Sequence, residues 1–253
     1  MSDTLQDKPD RAAWIKGAAG CNIEPAIPVR VWRLVLLGAP GVGKGTQAQL
    51  LTQALGACHL STGDVFRNAK TCGPREQSPP MRAAMESMSK GQLVSDDTVL
   101  GIVRERVKCL ACGCGFLLDG FPRTVAQAEA LAKVLDEKSI ALDAVLDYQL
   151  PIDEIVSRLG GRRTCAGCKA VYHIISRPPA LSGVCDVCGH ELVQREDDRP
   201  QSIRVRMEAY HRSTLPLTEF YRARGLLLTI DAHGSAEQVL VRALKQLPAV
   251  ATA

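Results

Sequence analysis

No apolar run in the 253-residue chain reaches the roughly 18 residues that a membrane span requires, which points to a soluble protein without a membrane partner. The basic residues are not gathered into one long run, and a formal charge of +4 is too small for a general nucleic-acid footprint. Small anionic ligands fit that balance better. Neither internal repeats nor low-complexity tracts occur, and the length suits one single-core domain or a core with a small insertion. Residues 1–29 lack the apolar segment of a secretory signal, and Asp3, Asp7 and Asp10 make them too acidic for a typical transit peptide. A flexible extension of a cytoplasmic protein is expected there, closed by Pro25 and Pro28.

Cysteine, by contrast, is plentiful. Of the ten, Cys21, Cys58 and Cys72 are scattered and Cys109, Cys112 and Cys114 lie close together, while Cys165, Cys168, Cys185 and Cys188 form two matched C-x-x-C pairs. The pairs are separated by 16 residues, 169–184. Two short chelating knuckles joined by such a loop satisfy a tetrahedral Zn²⁺ with four thiolates and leave no open coordination position, so the metal would be structural. Reduced thiols and disulfides are the alternatives, the latter disfavoured without a secretion signal. His173 and His190 lie nearby but are surplus to a complete four-sulfur set. Cys109, Cys112 and Cys114 lack a fourth ligand and read as plain thiols.

Short apolar runs at 31–37, 57–60, 115–118, 144–149 and 226–230 alternate with helical patterns. Continuous apolar strands with helices between them indicate an α/β protein, a parallel sheet covered on both faces. Thr124 with Gln127 three residues on predicts a capping box, and Ser95 before two aspartates predicts a helix start. The alternation stops between about Arg162 and Arg195, where the paired cysteines, Gly and Pro read as an inserted module.

The spacing G-x-x-x-x-G-K from Gly38 to Lys44 lies directly after a strand and leads into a helix. Glycines let backbone amides approach an anion, the helix N-terminus adds partial positive charge, and Lys44 adds a full one. A polyphosphate matches that geometry. Thr46 is placed to help hold Mg²⁺, directly or through water. Asp119 ends the apolar run "GFLLD", and a carboxylate at the carboxyl end of a strand beside the phosphate loop suits the hydration shell of the same ion.

Six ordered segments, "GAPGVGKGTQAQ", "STGDVFR", "GFLLDGFPRT", "GRR", "REDD" and "RVRMEAYH", make the chain similar to adenylate kinases of the long form, over nearly everything from Val31 onward. The resemblance implies a P-loop nucleoside monophosphate kinase fold with a five-stranded parallel sheet flanked by helices and a small zinc-binding lid. The core would span 30–253, with an acceptor segment at 61–94 and the lid at 162–197. It implies reversible, Mg²⁺-dependent transfer of the terminal phosphoryl group of ATP to AMP, giving two ADP, by a monomer.

Carried residue by residue, the resemblance gives the donor phosphates to Gly41, Val42, Gly43, Lys44, Gly45 and Thr46. Val171, Tyr172 and Gly234 would meet the rest of ATP together with Arg162. AMP would be held by Thr62, Arg67, Gln92, Leu93, Val94, Gly120, Phe121, Pro122, Arg123 and Gln127, joined by Arg195 and Arg206. Lys44, Arg123, Arg158, Arg162, Arg195 and Arg206 would form the catalytic set. Asp197 and Asp198 would partner Arg162 and Arg195 and seat the closed lid, with Gly160, Gly161 and the "DDRP" junction as hinges. Arginine suits this chemistry, because phosphoryl transfer relies on positioning and charge stabilisation rather than a side-chain nucleophile.

The sequence departs from that pattern in residues 1–29, in a longer stretch between Arg67 and Gln92, and in the three clustered cysteines. A GTP:AMP or other nucleoside monophosphate phosphotransferase is the nearest alternative. A zinc-ribbon nucleic-acid-binding ATPase is a remote one, since only Tyr172 in the ribbon is aromatic.

Overall fold

Five parallel strands, β1 (Trp32–Gly38), β2 (Cys58–Ser61), β3 (Gly115–Asp119), β4 (Ala144–Gln149) and β8 (Leu227–Asp231), pair in the order β2-β3-β1-β4-β8. All the bounds lie within one residue of the apolar runs in the sequence. The structure is a computed structural model and describes residues 30–63, 66, 78–89, 94–104, 110, 113–195 and 198–248.

Strand alternation explains why the runs are continuously apolar. Trp32, Leu34 and Leu36 of β1 enter one core with Ala48 and Leu51 of α1 (Lys44–Leu55) and with Val239 and Ala243 of α8 (Ala236–Gln246). Val35 and Leu37 enter the opposite core, with α2 (Pro79–Ser89), α3 (Asp96–Arg104), α4 (Val125–Asp136) and α7 (Pro216–Arg222). Both faces of the sheet are thus buried, and neither set of side chains can turn polar.

From β4 the chain runs through α5 (Ile152–Gly161) straight into a second, antiparallel sheet of order β6-β5-β7, built from β5 (Arg162–Cys165), β6 (Val171–His173) and β7 (Leu192–Val193). Its own core is small: Cys165, Tyr172, Cys185 and Leu192. The chain returns through α6 (Pro200–Ala209), and Ile155 and Leu159 of α5 pack on Ile203 and Met207 of α6 beneath the phosphate loop residue Ala39. Gly161 is the tight point of this junction, because a Cβ there would meet His173 Nε2 at 2.2 Å.

Ser95 caps α3, accepting the amide of Thr98 at 3.3 Å. Thr124 caps α4, accepting from Gln127 N, but the reciprocal half of the predicted capping box is absent. Gln127 Oε1 instead accepts the amide of Arg123 at 2.8 Å, and its Nε2 donates to Asp96 Oδ1 at 2.6 Å. Thr124 Oγ1 also donates to Asp96, so the starts of α3 and α4 are tied together. The Arg123 amide thus takes the oxygen that a capping box would offer to Thr124 N, and Asp96 fixes the orientation of the Gln127 amide.

Candidate active site

The phosphate loop closes over the carboxyl end of β1, where Gly38, Gly41 and Gly43 have φ of 130°, 87° and 107°. A Cβ on Gly38 would lie 2.4 Å from the Tyr148 carbonyl, and one on Gly41 would collide with Leu159. Only glycine lets the loop turn its amides inward while packed against β4 and α5. Gly43 caps α1 without a side-chain partner, leaving the first-turn amides directed into the loop.

Lys44 Nζ donates to the carbonyls of Gly38 at 2.7 Å and Ala39 at 2.9 Å, which holds the ammonium in the mouth of the loop. Burial is the largest influence on it and pulls its pKa down to about 8, against the opposing charge of Asp119; Arg123 and Arg206 lower it further. Lys44 thus senses both the strand-end carboxylate and cations from the two elements expected to bracket the reacting groups. The sheet brings them together, since β3 pairs directly with β1 and sets Asp119 opposite Leu36.

Asp119 is kept ionised. Burial raises its pKa, but contact with His59 and the charges of Lys44 and Arg123 outweigh it and leave the carboxyl below its usual range. His59 Nε2 stands 3.5 Å from Asp119 Oδ2, a close electrostatic contact rather than an aligned hydrogen bond. An ionised, inward carboxylate next to Gly45, whose Cβ would come within 3.9 Å of Oδ2, fits a role in holding hydrated Mg²⁺ with Thr46.

The acceptor residues gather beside β2 and β3. Thr62 is buried and donates to Gly120 O at 2.9 Å, and Arg123 Nε donates to the same carbonyl at 2.8 Å. Phe121 is buried and is followed by a cis Pro122; Val94 is partly buried and packs on the same core. Gln127 is 5% exposed and committed to Arg123 and Asp96 as described. Arg67, Gln92 and Leu93 lie outside the described residues, as do Cys21, Cys72, Cys109 and Cys112.

On the lid side, Asp198 is fully buried and receives two hydrogen bonds from Arg162, from Nε at 2.7 Å and Nη2 at 2.5 Å. Arg206 Nη1 lies 3.4 Å from the same carboxylate. Arg195 Nε donates to Thr164 Oγ1 at 2.9 Å, and Arg206 joins Arg162 as a partner of Asp198. Helix α6 begins two residues after Asp198, which brings its Arg206 within reach of the pair. Asp197 is outside the described residues. Replacing Asp198 with Asn should destabilise the protein by about 2–4 kcal/mol, since Arg162 and Arg206 lose the charge they share. Denaturant unfolding measures this, and a change within experimental error would remove the carboxylate's anchoring role.

Arg158 on α5 donates to Ala232 O at 3.0 Å and reaches Val42 O at 3.4 Å, bracketing the space between the phosphate loop and the loop after β8 that holds Gly234. Gly234, with φ of 91°, precedes the capping box of Ser235 and Gln238. Val171 is half-buried at the start of β6. The Tyr172 side chain is 5% exposed; its hydroxyl is 3.5 Å from Cys185 Sγ and accepts the amide of Asp186.

Sulfur atoms of Cys165, Cys168, Cys185 and Cys188 all lie within 4.8 Å of one another, with Cys165 to Cys188 at 3.3 Å and Cys168 to Cys185 at 3.5 Å. A tetrahedral centre with Zn–S bonds of about 2.3 Å needs sulfurs about 3.8 Å apart, so the donor set fits the ion. The Cys168 amide donates to Cys165 Sγ, as a chelating knuckle requires. Hydrogen bonding from the His190 backbone draws Cys188 down to about 5, while burial pushes Cys168 up to about 12; a bound metal would take all four as thiolates. His190 Nδ1 is engaged with the Cys188 carbonyl, and His173 Nδ1 accepts the amides of Ile175 and Ser176.

Three polar groups near the site escape sequence reading. His59 and Asp147 are single polar residues inside apolar strands, with no spacing to mark them. Asp147 is 1% exposed, and burial raises its pKa despite a hydrogen bond from Gln149 and the charges of Lys44 and Arg222. His233 carries no motif, and its partners are brought to it from other elements.

Comparison with known proteins adds an independent line. The family model described as adenylate kinase matches residues 36–226. An adenylate kinase of Caldicellulosiruptor bescii is 49% identical over 205 residues, covering 81% of this chain and 93% of that protein. One from Moorella thermoacetica is 48% identical over 83% of this chain and 94% of its own length, and one from Acidothermus cellulolyticus 47% identical over 85% and 97%.

Proposed function

The chain belongs to the adenylate kinase family and is a nucleoside monophosphate phosphotransferase, and from that premise we propose a division of labour among its residues for moving the terminal phosphoryl group of ATP to AMP. The observation that carries the reading is the convergence on Lys44: the phosphate loop, Asp119 from β3, and the charges of Arg123 and Arg206 meet at one end of the sheet. Amides of Gly41 to Thr46 and Lys44 cradle the donor phosphates. Arg158, Val171 and Gly234 flank its nucleoside, and Tyr172 contributes through its backbone. Thr62, Val94, Gly120, Phe121, Pro122, Arg123 and Gln127, with Arg67, Gln92 and Leu93, hold AMP.

An AMP phosphate oxygen forms the new bond to the γ-phosphorus as the bond to the β–γ bridging oxygen breaks, and the electron pair leaves with ADP. Charge spreads over the equatorial oxygens, where Lys44 is one cation and Arg123, Arg162, Arg195 and Arg206 are others that stay charged and contact oxygens in pairs. Mg²⁺ arriving with ATP would neutralise the β and γ oxygens, with Asp119 and Thr46 holding it. Closure of the lid, 162–197, over the acceptor segment, 61–94, would exclude water that otherwise hydrolyses ATP. Structural Zn²⁺ on the four cysteines would hold the lid's shape.

The zinc-ribbon alternative needs an exposed aromatic platform, and the ring of Tyr172 is buried against the cysteine cluster. No described helix is long and apolar enough to cross a membrane. The reading as a cytoplasmic monomer rests on the family resemblance. Purified protein with Mg²⁺, ATP and AMP should form ADP rapidly in a coupled assay, with GTP slower as donor and CMP or UMP slower as acceptor. Absence of AMP-dependent ADP formation would defeat the reading, and faster turnover with GTP would shift it to the GTP:AMP alternative.

A further inference from the structure

Two carboxylates from different elements close on one imidazole beside the donor site. His233 precedes Gly234 in the loop after β8; its Nδ1 is 2.5 Å from Asp231 Oδ1, and its Nε2 is 2.9 Å from Glu154 Oε1 in the first turn of α5. Ionised carboxylates only accept, whereas a neutral imidazole has one N–H and satisfies one of them. The geometry is that of an imidazolium donating twice.

The network continues on both sides. Arg242 of α8 approaches Asp231 Oδ2 at 3.2 Å and donates to the carbonyls of Asp231 and His233. Arg158 Nη2 is 4.0 Å from Glu154 Oε2 while donating to Ala232 O. The charged groups facing His233 are therefore Asp231 from β8, Glu154 and Arg158 from α5, and Arg242 from α8. A cleft of about 480 Å³ lined by Gln149, Pro151, Thr229, Asp231, His233 and Arg242 opens beside the same loop. Ala232 anchors the loop in the sheet core, while on the open side His233 is held by the charged network.

We propose that His233 is a positioning residue for the donor nucleoside: in its charged form it bridges Asp231 and Glu154, seats the 231–234 loop on α5, and leaves Arg158 free to serve the nucleotide. This rests on the reading of Arg158 and Gly234 as donor contacts. Loss of the proton turns one ring nitrogen into an acceptor facing a carboxylate. Glu154 then loses its second cation and draws Arg158 toward itself. The contact with Asp231, and then the charges of Glu154 and Asp231, hold the pKa of His233 above its ordinary value. The charged form accordingly persists above about pH 6.5 and is lost as pH rises through the raised value.

The test compares wild type, His233→Asn and His233→Arg as full-length proteins, measuring KM for ATP and AMP and kcat at about pH 6 and about pH 8, with direct titration of ATP and inorganic tripolyphosphate. Exposed ion pairs of this kind translate into roughly a three- to five-fold change in affinity. At the lower pH, His233→Asn should raise KM for ATP by about that factor while KM for AMP and kcat move less than about twofold. His233→Arg, permanently charged, should show a smaller rise of KM for ATP with pH than wild type. Tripolyphosphate, which meets the phosphate loop and not the nucleoside pocket, should bind all three proteins equally at each pH, so any titration of Lys44 appears there and is separated. An unchanged KM for ATP in His233→Asn, or equal loss of tripolyphosphate, overturns the proposal. Inactive wild type with ATP and AMP would overturn the donor reading itself, an outcome distinct from active wild type with an indifferent Asn variant.

Discussion

Replacement of Lys44 by Met is expected to lower turnover by about two to three orders of magnitude with the fold intact. Methionine keeps the length and fills the same mouth of the loop, but it removes the charge and its hydrogen bonds to Gly38 O and Ala39 O. Leaving those two carbonyls without the ammonium costs some stability, and removing a buried charge offsets it. Burial already holds the pKa of Lys44 at about 8, which is the signature of a cation poorly solvated until an anion arrives. Donor affinity should therefore also weaken as pH rises through about 8, because the free protein loses the charge that the phosphates need. Thermal unfolding and initial rates on the same preparation separate the two effects. If the Met variant turns over like wild type, Lys44 has no part in transfer.

Metal removal is expected to have the second large effect. The lid core consists of Cys165, Tyr172, Cys185 and Leu192, which is too little apolar burial to hold three short strands. Structural zinc contributes folding energy directly in modules of this size, and losing even about 3–5 kcal/mol of it would lower the melting temperature by roughly 10 °C. Metal analysis should find about one Zn per chain. Chelation, or Cys185→Ser, should lower both the melting temperature and activity, because Arg162 in β5 and Arg195 just after β7, both assigned to the transferring group, are carried by this module. The four-sulfur set has no open position, so activity is lost through shape alone and should return with zinc in the chelated wild type. A metal-free protein of full stability and full rate would refute the structural role.

Certain features were legible because their signals are local. Each apolar run became a strand within one residue of its limits, since a strand buried on both faces favours apolar side chains along nearly its whole length. The phosphate loop was readable because Gly38 to Lys44 combines positive φ, close packing and one cation in seven consecutive residues. The paired cysteines were readable because a chelating knuckle needs a fixed short spacing, and the structure gathers their sulfurs within 4.8 Å.

Other features depended on which elements the fold brings into contact. Thr124 and Gln127 have the spacing of a capping box, yet Asp96 from another helix takes the Gln127 amide. Arg206 carries no sequence signal as a partner of Asp198, and the direction of α6 brings it there. The Tyr172 ring fills the small core of the second sheet, a packing role that no sequence spacing marks.

By itself, the sequence determined the layer architecture, the phosphate loop and the grouping of four cysteines, because periodicity, backbone freedom and chelate spacing operate over a few neighbouring residues. The tertiary structure alone decided the partners of Asp198, the contact of His59 with Asp119, and the bridge of His233 between Asp231 and Glu154. Those are electrostatic pairings between residues as many as 79 positions apart, and charge acts through space, so their strength follows from the distances and burial that packing creates.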